Sequence, residues 1–284
     1  MRFAFAGIDF LGDVFLTLIE GGWQPVKLFT RPCDKVYDFH ETVVGRARSL
    51  NIPVQLSRIR PPDLAALASL RCDALVVAGY PWLVTGWESH LRYGLNIHPS
   101  PLPLGRGPYP LFQAILSGAR EWGVTAHKLE PAFDTGAIVA QERFPVAPDE
   151  THDSLLAKCQ IGAKRVAVTL ATELPRLWQA AAPQGNGSYW PRIGEVQRTL
   201  DWTRSVAEVL RTIRAFGSIE TIAPVNGTRL YVRAASGWTE PHGLAPGTVA
   251  HNHRRHLVVA AADGFVQITN WSSVALEQAR DLAR

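Results

Sequence analysis

Gly94-Leu95-Asn96-Ile97-His98-Pro99-Ser100-Pro101-Leu102-Pro103-Leu104-Gly105-Arg106-Gly107-Pro108 opens as a short apolar run and is then broken by a series of prolines. Proline has no N–H for a sheet ladder, so a strand ends where the series begins. Comparable runs recur from Arg2 to about Leu129: Phe3-Ala4-Phe5-Ala6, Val26-Lys27-Leu28-Phe29, Ala74-Leu75-Val76-Val77-Ala78 and Val124-Thr125-Ala126. Between them lie stretches with apolar residues at helical spacing, at about 10–20, 39–50, 62–69 and 109–118. Short unbroken apolar strands alternating with amphipathic helices are the pattern of βα units. The fold class that follows is α/β, with an open, mostly parallel, Rossmann-like sheet buried on both faces.

After Pro148, Leu155, Cys159, Ala163, Val166, Leu170, Leu174 and Leu177 make one apolar stripe at spacings of three and four, which predicts a long helix capped by Asp149 or Thr151. That placement makes Cys159 core filler rather than a nucleophile. Ala180-Ala181-Ala182-Pro183-Gln184-Gly185-Asn186-Gly187-Ser188 is small and polar and reads as a linker or exposed loop. The boundary drawn there gives domains of 1–188 and 189–284. The second has a helical stretch around 204–216 and β-like runs at about 221–234, 246–250, 256–262 and 264–270, with hairpin signals at Asn226-Gly227 and Asp263-Gly264. A small β-barrel, OB-like, with a terminal helix is expected.

With 284 residues, 46% hydrophobic and 19% charged, the chain has an ordinary globular composition. A net charge of +4, from 29 cations against 25 anions, is too small a surplus to indicate nucleic-acid binding on its own. The three cysteines are far apart and form no CxxC pair, so neither a disulfide framework nor a thiolate metal site is indicated. No apolar run approaches the roughly 20 residues that span a bilayer, and Met1–Gly7 lacks the cationic lead of a secretory signal. A cytoplasmic protein without a membrane partner is expected. Gly7-Ile8-Asp9-Phe10-Leu11-Gly12 lacks the glycines of a dinucleotide fingerprint and reads as a tight βα turn.

Asn96 and His98 stand two apart on one strand, so their side chains leave the same face at its carboxyl end, where open α/β sheets hold ligands. Phe133-Asp134-Thr135-Gly136 lies in a turn between Val124–Leu129 and Ala137–Ala140. Taken alone, such a histidine bonds a carbonyl and such an aspartate bonds its own backbone. As a set, carboxamide, imidazole and carboxylate are the parts of acyl transfer to an amine. Negative charge building on the acyl oxygen needs fixed donors, worth roughly 3–4 kcal/mol for one. The Asn96 amide and a protonated His98 supply them. Asp134 accepts the amine's proton, directly or through water, while its charge keeps His98 cationic.

The run from Leu95 to Pro103 with Gly105-Arg106-Gly107, followed by Gly123-Val124-Thr125 and Asp134-Thr135-Gly136, closely resembles the folate-dependent formyltransferases, with their N-x-H-P-S-L-L-P-x-x-R-G, G-V-T and D-T-G signatures. The likeness runs on through Phe5-Ala6-Gly7, 149–154, Asp201-Trp202, Ile213-Arg214-Ala215-Phe216, Pro246-Gly247-Thr248 and Asp263-Gly264. It implies a formyltransferase fold, a catalytic trio of Asn96, His98 and Asp134, and 10-formyltetrahydrofolate as formyl donor. It also implies a pterin pocket of Tyr80, Pro81, Trp82 and Leu83 with the 130–136 loop, including Phe133 and Asp134. Tyr80 and Trp82 are equally readable as plain core. Ser100, Arg106, Gly107 and Tyr109 fall where the acceptor would bind, with Trp122 and Trp190 as further aromatics able to stack on it. No metal site is indicated.

Two departures bear on the acceptor. Pro101 stands where the family has leucine, which stiffens the turn without touching the trio. Arg31-Pro32-Cys33-Asp34-Lys35-Val36-Tyr37-Asp38-Phe39-His40 is short and carries interleaved acids, where the methionyl-tRNA formyltransferases carry a longer basic loop. Phosphate contacts supply most of a nucleic-acid binder's affinity, so this loop favours a small-molecule amine over tRNA. The acceptors weighed are a nucleotide-linked amino sugar, then a hydroxyornithine, then methionyl-tRNA. A hydrolase releasing formate from the same donor and a non-catalytic folate-binding module are the competing classes. His251, His253, Arg254, Arg255 and His256 read as a solvated hairpin tip or a phosphate site, and the residues leave the oligomeric state open.

Overall fold

In the computed structural model, which describes residues 1–253, 256–276, 278 and 279, the apolar runs become the middle of a seven-stranded sheet. Its elements are β1 (Arg2–Gly7), α1 (Asp13–Glu20), β2 (Gln24–Phe29), α2 (Glu41–Ser49), β3 (Val54–Gln55), α3 (Pro61–Ser69), β4 (Ala74–Ala78), β5 (Tyr93–His98), α4 (Pro110–Leu116), β6 (Glu121–Lys128), β7 (Ile138–Pro145) and α5 (His152–Gln179). The strand order is β3-β2-β1-β4-β5-β6-β7. Ladders from β3 to β5 are parallel, and β6 and β7 add antiparallel. β1 and β4 are buried almost throughout, as central strands covered on both faces must be. β3 is only two residues long and leaves no period for a sequence reading to find.

Local chemistry sets the helix ends. Expected from about residue 10, α1 starts at Asp13 because Asp9–Leu11 closes a 3₁₀ turn first. The Asp9 carboxylate instead accepts the N–H groups of Thr42 and Val43 at 2.9 Å each, and so satisfies orphan donors at the start of α2. α3 opens on Pro61 and Pro62, where missing N–H groups cost nothing, and Asp63 reaches back to the Arg60 N–H at 2.8 Å. Of the two caps considered for α5, Thr151 is the one used: its Oγ1 accepts the Ser154 N–H at 3.1 Å. Leu155, Cys159, Ala163, Val166, Leu170 and Leu174 are buried along that helix.

Two compact units divide the chain. One comprises Met1–Pro110, Glu121–Pro145 and Ala157–Trp190; the other comprises Leu111–Arg120, Val146–Leu156 and the described residues from Pro191 on. The second unit holds α6 (Glu195–Arg198), α7 (Val206–Phe216), β8 (Thr221–Val225), β9 (Thr228–Thr239), β10 (Val249–His253), β11 (His256–Ala260) and β12 (Gly264–Ser272). Its five strands form an antiparallel sheet in the order β10-β11-β12-β9-β8. Ser205 and Glu208 form a capping box at the start of α7, whose Val206, Val209 and Ile213 are buried in this unit's core with Val232, Val259, Val266 and Ile268. His251 and His253 are exposed on β10, and His253 pairs with His256 on β11. Arg254 and Arg255 of that cluster lie outside the described residues, as does part of the expected terminal helix. No helix among the described residues is long and apolar enough to cross a membrane.

Candidate functional site

β5 delivers two polar side chains to one spot. Asn96 pairs with Val77 of β4 on one side and His127 of β6 on the other, so it sits mid-sheet with His98 two residues on. The turn after β6 brings Asp134 back over both, with its backbone in the left-handed region at φ 59°. Asn96 Nδ2 donates to Asp134 Oδ1 at 3.3 Å, His98 Nδ1 lies 3.4 Å from the same oxygen, and Asp134 Oδ2 accepts the Gly107 N–H at 2.9 Å. His98 and Asp134 are both buried, at 6% and 7% exposure. Two glycines allow this close approach. A Cβ on Gly136 would lie 1.8 Å from the Lys128 carbonyl oxygen, and one on Gly107, at φ 112°, would lie 2.1 Å from that of Trp190.

His127 is a member of the cluster that the sequence reading missed. It is buried, its Nε2 lies 3.0 Å from Asn96 Nδ2 and 3.6 Å from Asp134 Oδ1, and its Nδ1 lies 2.8 Å from the Lys128 carbonyl. A carbonyl only accepts, so Nδ1 carries the hydrogen and Nε2 accepts from the Asn96 amide. Both Nδ2 hydrogens of Asn96 are thereby directed, one to the carboxylate and one to the ring.

The same reasoning fixes His98. Its Nε2 lies 2.9 Å from the Gly105 carbonyl and must donate, which leaves Nδ1, facing Asp134, as the nitrogen that titrates. Here the structure corrects the expected cationic histidine. Burial pushes His98 below the ordinary histidine value, and the upward pulls of Asp134 and the Gly105 carbonyl recover only part of it. Burial works the other way on Asp134, yet His98 and the Gly107 N–H hold its carboxyl down at about 2. At neutral pH the cluster therefore presents an ionised carboxylate beside a neutral imidazole with a basic Nδ1.

A cleft opens beside Asn96, His127 and Asp134 of the cluster. Its lining includes Tyr80, Trp82, Leu83, Phe133 and Asp134 from the expected pocket, together with Val77, Val84, Asn96, His127, Leu129 and Glu130. Pro81 is exposed and is not part of this lining. The Tyr80 hydroxyl accepts the Ile59 N–H at 2.9 Å and donates to the Ser57 carbonyl at 3.2 Å. Burial pushes that phenol up to about 12, so it stays protonated. Phe133 is 48% exposed and offers an open ring.

The expected acceptor residues separate. Ser100 is fully buried, its carbonyl accepting the Thr125 hydroxyl at 2.7 Å, so it supports the turn rather than facing the cleft. Arg106 turns its guanidinium onto Gln184 and the Gly185 carbonyl. Gly107 touches Asp134 through its N–H, and Tyr109 is exposed. Trp122 is fully buried, donates to the Pro99 carbonyl at 2.9 Å and stacks on Trp190 at 5.5 Å and 10°, which makes that pair packing. The segment 180–188 is not a free linker either. Ala182 bridges Ile138, Ser188 Oγ accepts the Gly105 N–H at 2.9 Å, and the Ser188 carbonyl accepts the Arg106 N–H at 3.0 Å. Its small residues let the backbone lie close against the site loops.

In the segment 31–40 the cations are answered locally. Arg31 pairs with Asp38, Lys35 Nζ lies 3.3 Å from Glu41, and Asp34 Oδ1 accepts the N–H groups of Val36, Tyr37 and Asp38 at 2.7–3.0 Å.

A family model described as formyl transferase matches residues 44–170, and one described as the formyl transferase C-terminal domain matches residues 192–277. The chain is 30% identical to a methionyl-tRNA formyltransferase of Burkholderia pseudomallei (strain 1106a) over 290 residues, which covers 95% of this chain and 89% of that one. An N-formyltransferase from Helicobacter canadensis, solved with folinic acid and dTDP-3-aminofucose, superposes with a TM-score of 0.70 at 17% identity, over 95% of this chain and 99% of that one. HypX from Aquifex aeolicus, solved with tetrahydrofolic acid, gives a TM-score of 0.70 at 23% identity over 95% of this chain. The chain spans 44% of the length of HypX, and at these identities both likenesses concern the fold.

Proposed function

The chain belongs to the formyl transferase family, and from that premise we propose that it carries a formyl group from 10-formyltetrahydrofolate to the amine or hydroxylamine of a small-molecule acceptor, in the cytoplasm. The observation that carries this reading is the meeting of Asn96 and His98 at one carboxylate oxygen of Asp134, with Asn96 and Asp134 lining a mainly apolar slot. Val77, Leu83, Val84 and Leu129 give that slot apolar walls and Phe133 adds an exposed ring, a lining that suits a heteroaromatic pterin. A neighbouring groove shares Leu83 and Val84 and adds Arg58, Arg60 and Thr85, a match for the donor's anionic glutamyl end.

Each side chain then has a task. As the amine nitrogen bonds the formyl carbon, His98 Nδ1 takes the proton the nitrogen sheds, and Asp134 stabilises the imidazolium that results. As negative charge builds on the formyl oxygen, Asn96 Nδ2 turns toward it the hydrogen that in the free protein goes to Asp134 Oδ1 at 3.3 Å. When the bond from formyl carbon to the folate nitrogen breaks, His98 returns the proton to that nitrogen, so a formamide and tetrahydrofolate leave and the imidazole is neutral again.

For the acceptor, the ion pairs of Arg31 with Asp38 and of Lys35 with Glu41 support a small amine: a segment whose cations are already paired has little charge left for a phosphate backbone. A nucleotide-linked amino sugar is the first choice and a hydroxyornithine the second. Methionyl-tRNA is the second reading, favoured by the 30% identity to enzymes of that name. Incubating the protein and donor with each acceptor, and weighing products for one added formyl group, decides among them. Formylation of methionyl-tRNA alone would overturn the small-molecule assignment.

A further inference from the structure

Gln184 is bonded on both of its faces. Oε1 accepts from Arg106 Nε at 3.0 Å and Nη2 at 2.8 Å, while Nε2 donates to the carbonyls of Asp134 at 3.0 Å and Gly136 at 2.7 Å. A guanidinium only donates and a carbonyl only accepts, so the amide has a single workable orientation and every partner in it is satisfied.

What this one side chain joins are the two loops that set the trio. Arg106 stands between Gly105, whose carbonyl orients His98 Nε2, and Gly107, whose N–H holds Asp134 Oδ2. On the other side, Gln184 grips the backbone of Asp134 itself, a residue held at φ 59°, where a side chain bearing a Cβ persists only if its surroundings fix it. The strand-like pairing of the following residues reinforces the grip: the Arg106 N–H donates to the Ser188 carbonyl at 3.0 Å and the Trp190 N–H to the Arg106 carbonyl at 2.7 Å.

We propose that Gln184 is a positioning residue for formyl transfer, which sets the separation of the Asp134 carboxylate and the His98 imidazole by tying their two loops together. It acts through backbone and touches neither donor nor acceptor. The inference rests on the formyl-transfer reading for its catalytic meaning, but its geometric content is measurable in the free protein.

Gln184→Glu keeps an acceptor for Arg106 and removes the N–H donors to Asp134 and Gly136; Gln184→Ala removes both halves. In whichever of the two folds as wild type by circular dichroism, kcat is expected to fall about 10- to 100-fold, the scale of an ångström-sized misplacement, with KM for donor and acceptor unchanged. Independently of any substrate, NMR titration of the free variants is expected to show His98 moving further down and the Asp134 carboxyl rising toward its ordinary value as the two groups part. Unchanged titrations overturn the proposal even if activity falls, and so does a loss confined to KM. A wild-type protein that formylates no amine would fail the function assignment alone, because the titrations still report whether Gln184 sets the pair.

Discussion

Asparagine at position 134 keeps the shape of the side chain and can still accept the Gly107 N–H, but removes the charge that His98 Nδ1 faces at 3.4 Å. Two unit charges at that distance interact by about 5 kcal/mol at an effective dielectric constant near 20. At about 1.4 kcal/mol per decade, withdrawing that support from the imidazolium costs at most three to four decades of rate. The new amide and the His127 ring recover part of it, so Asp134→Asn is expected to lower kcat by about 10²- to 10⁴-fold, the range for a lost general acid–base partner. Stability changes too. A carboxyl held at about 2 against an ordinary 3.8 favours the folded state by about 2 kcal/mol at neutral pH. The unfolded chain takes up this proton first as pH falls, so the stabilisation is whole above about pH 3.8 and is lost toward pH 2. Single-turnover formyl transfer and urea unfolding at pH 7 and pH 3 measure both effects. A folded variant that keeps kcat within about tenfold of wild type would refute the role given to Asp134.

Other consequences follow from the same geometry. Because burial lowers His98, kcat/KM should rise along one limb below pH 6.5 and stay level above it; a limb centred above pH 7 would contradict a neutral histidine base. The linkage runs in the same direction: the unfolded chain protonates this ring first, so wild-type stability should decline as pH falls below 6.5, and His98→Asn should remove that part of the decline in urea melts. Gly107→Ala places a Cβ 2.1 Å from the Trp190 carbonyl oxygen at φ 112°, so it should cost at least about 2 kcal/mol of unfolding free energy and lower kcat through the displaced N–H; a wild-type melt and rate would contradict the packing described.

Most of the sheet was readable because its evidence is local. Ala74–Ala78 is apolar at every position and ends at a glycine, and Asn96 and His98 share a face by the strand's period of two. Asp134 was legible from its turn and its Thr-Gly sequel. His127 was not, although it too lies on a strand: only the antiparallel register, with Asn96 opposite His127, makes it a neighbour, and register is not written in either strand alone. Gln184 was hidden differently. Composition marks Ala180–Ser188 as small and polar, but the same smallness that suggests a linker is what lets backbone lie against the site loops, and the partners sit about 50 and 80 residues away. The charge state of His98 was misjudged because sequence supplies the neighbouring carboxylate and not the degree of burial, and burial dominates. The grouping of Leu111–Arg120 and Val146–Leu156 with the C-terminal unit is likewise a long-range fact with no local sign.

Transfer and hydrolysis differ in where one carbon goes. In a single turnover with 10-formyltetrahydrofolate labelled with ¹³C in the formyl group and an amino-sugar nucleotide in excess, the label should appear as a formamide on the acceptor nitrogen, and Asn96→Ala, His98→Ala and Asp134→Ala should each slow its arrival by at least about 100-fold. Label recovered as free formate at the same rate with or without the amine would mean hydrolysis and would contradict the transfer proposed here.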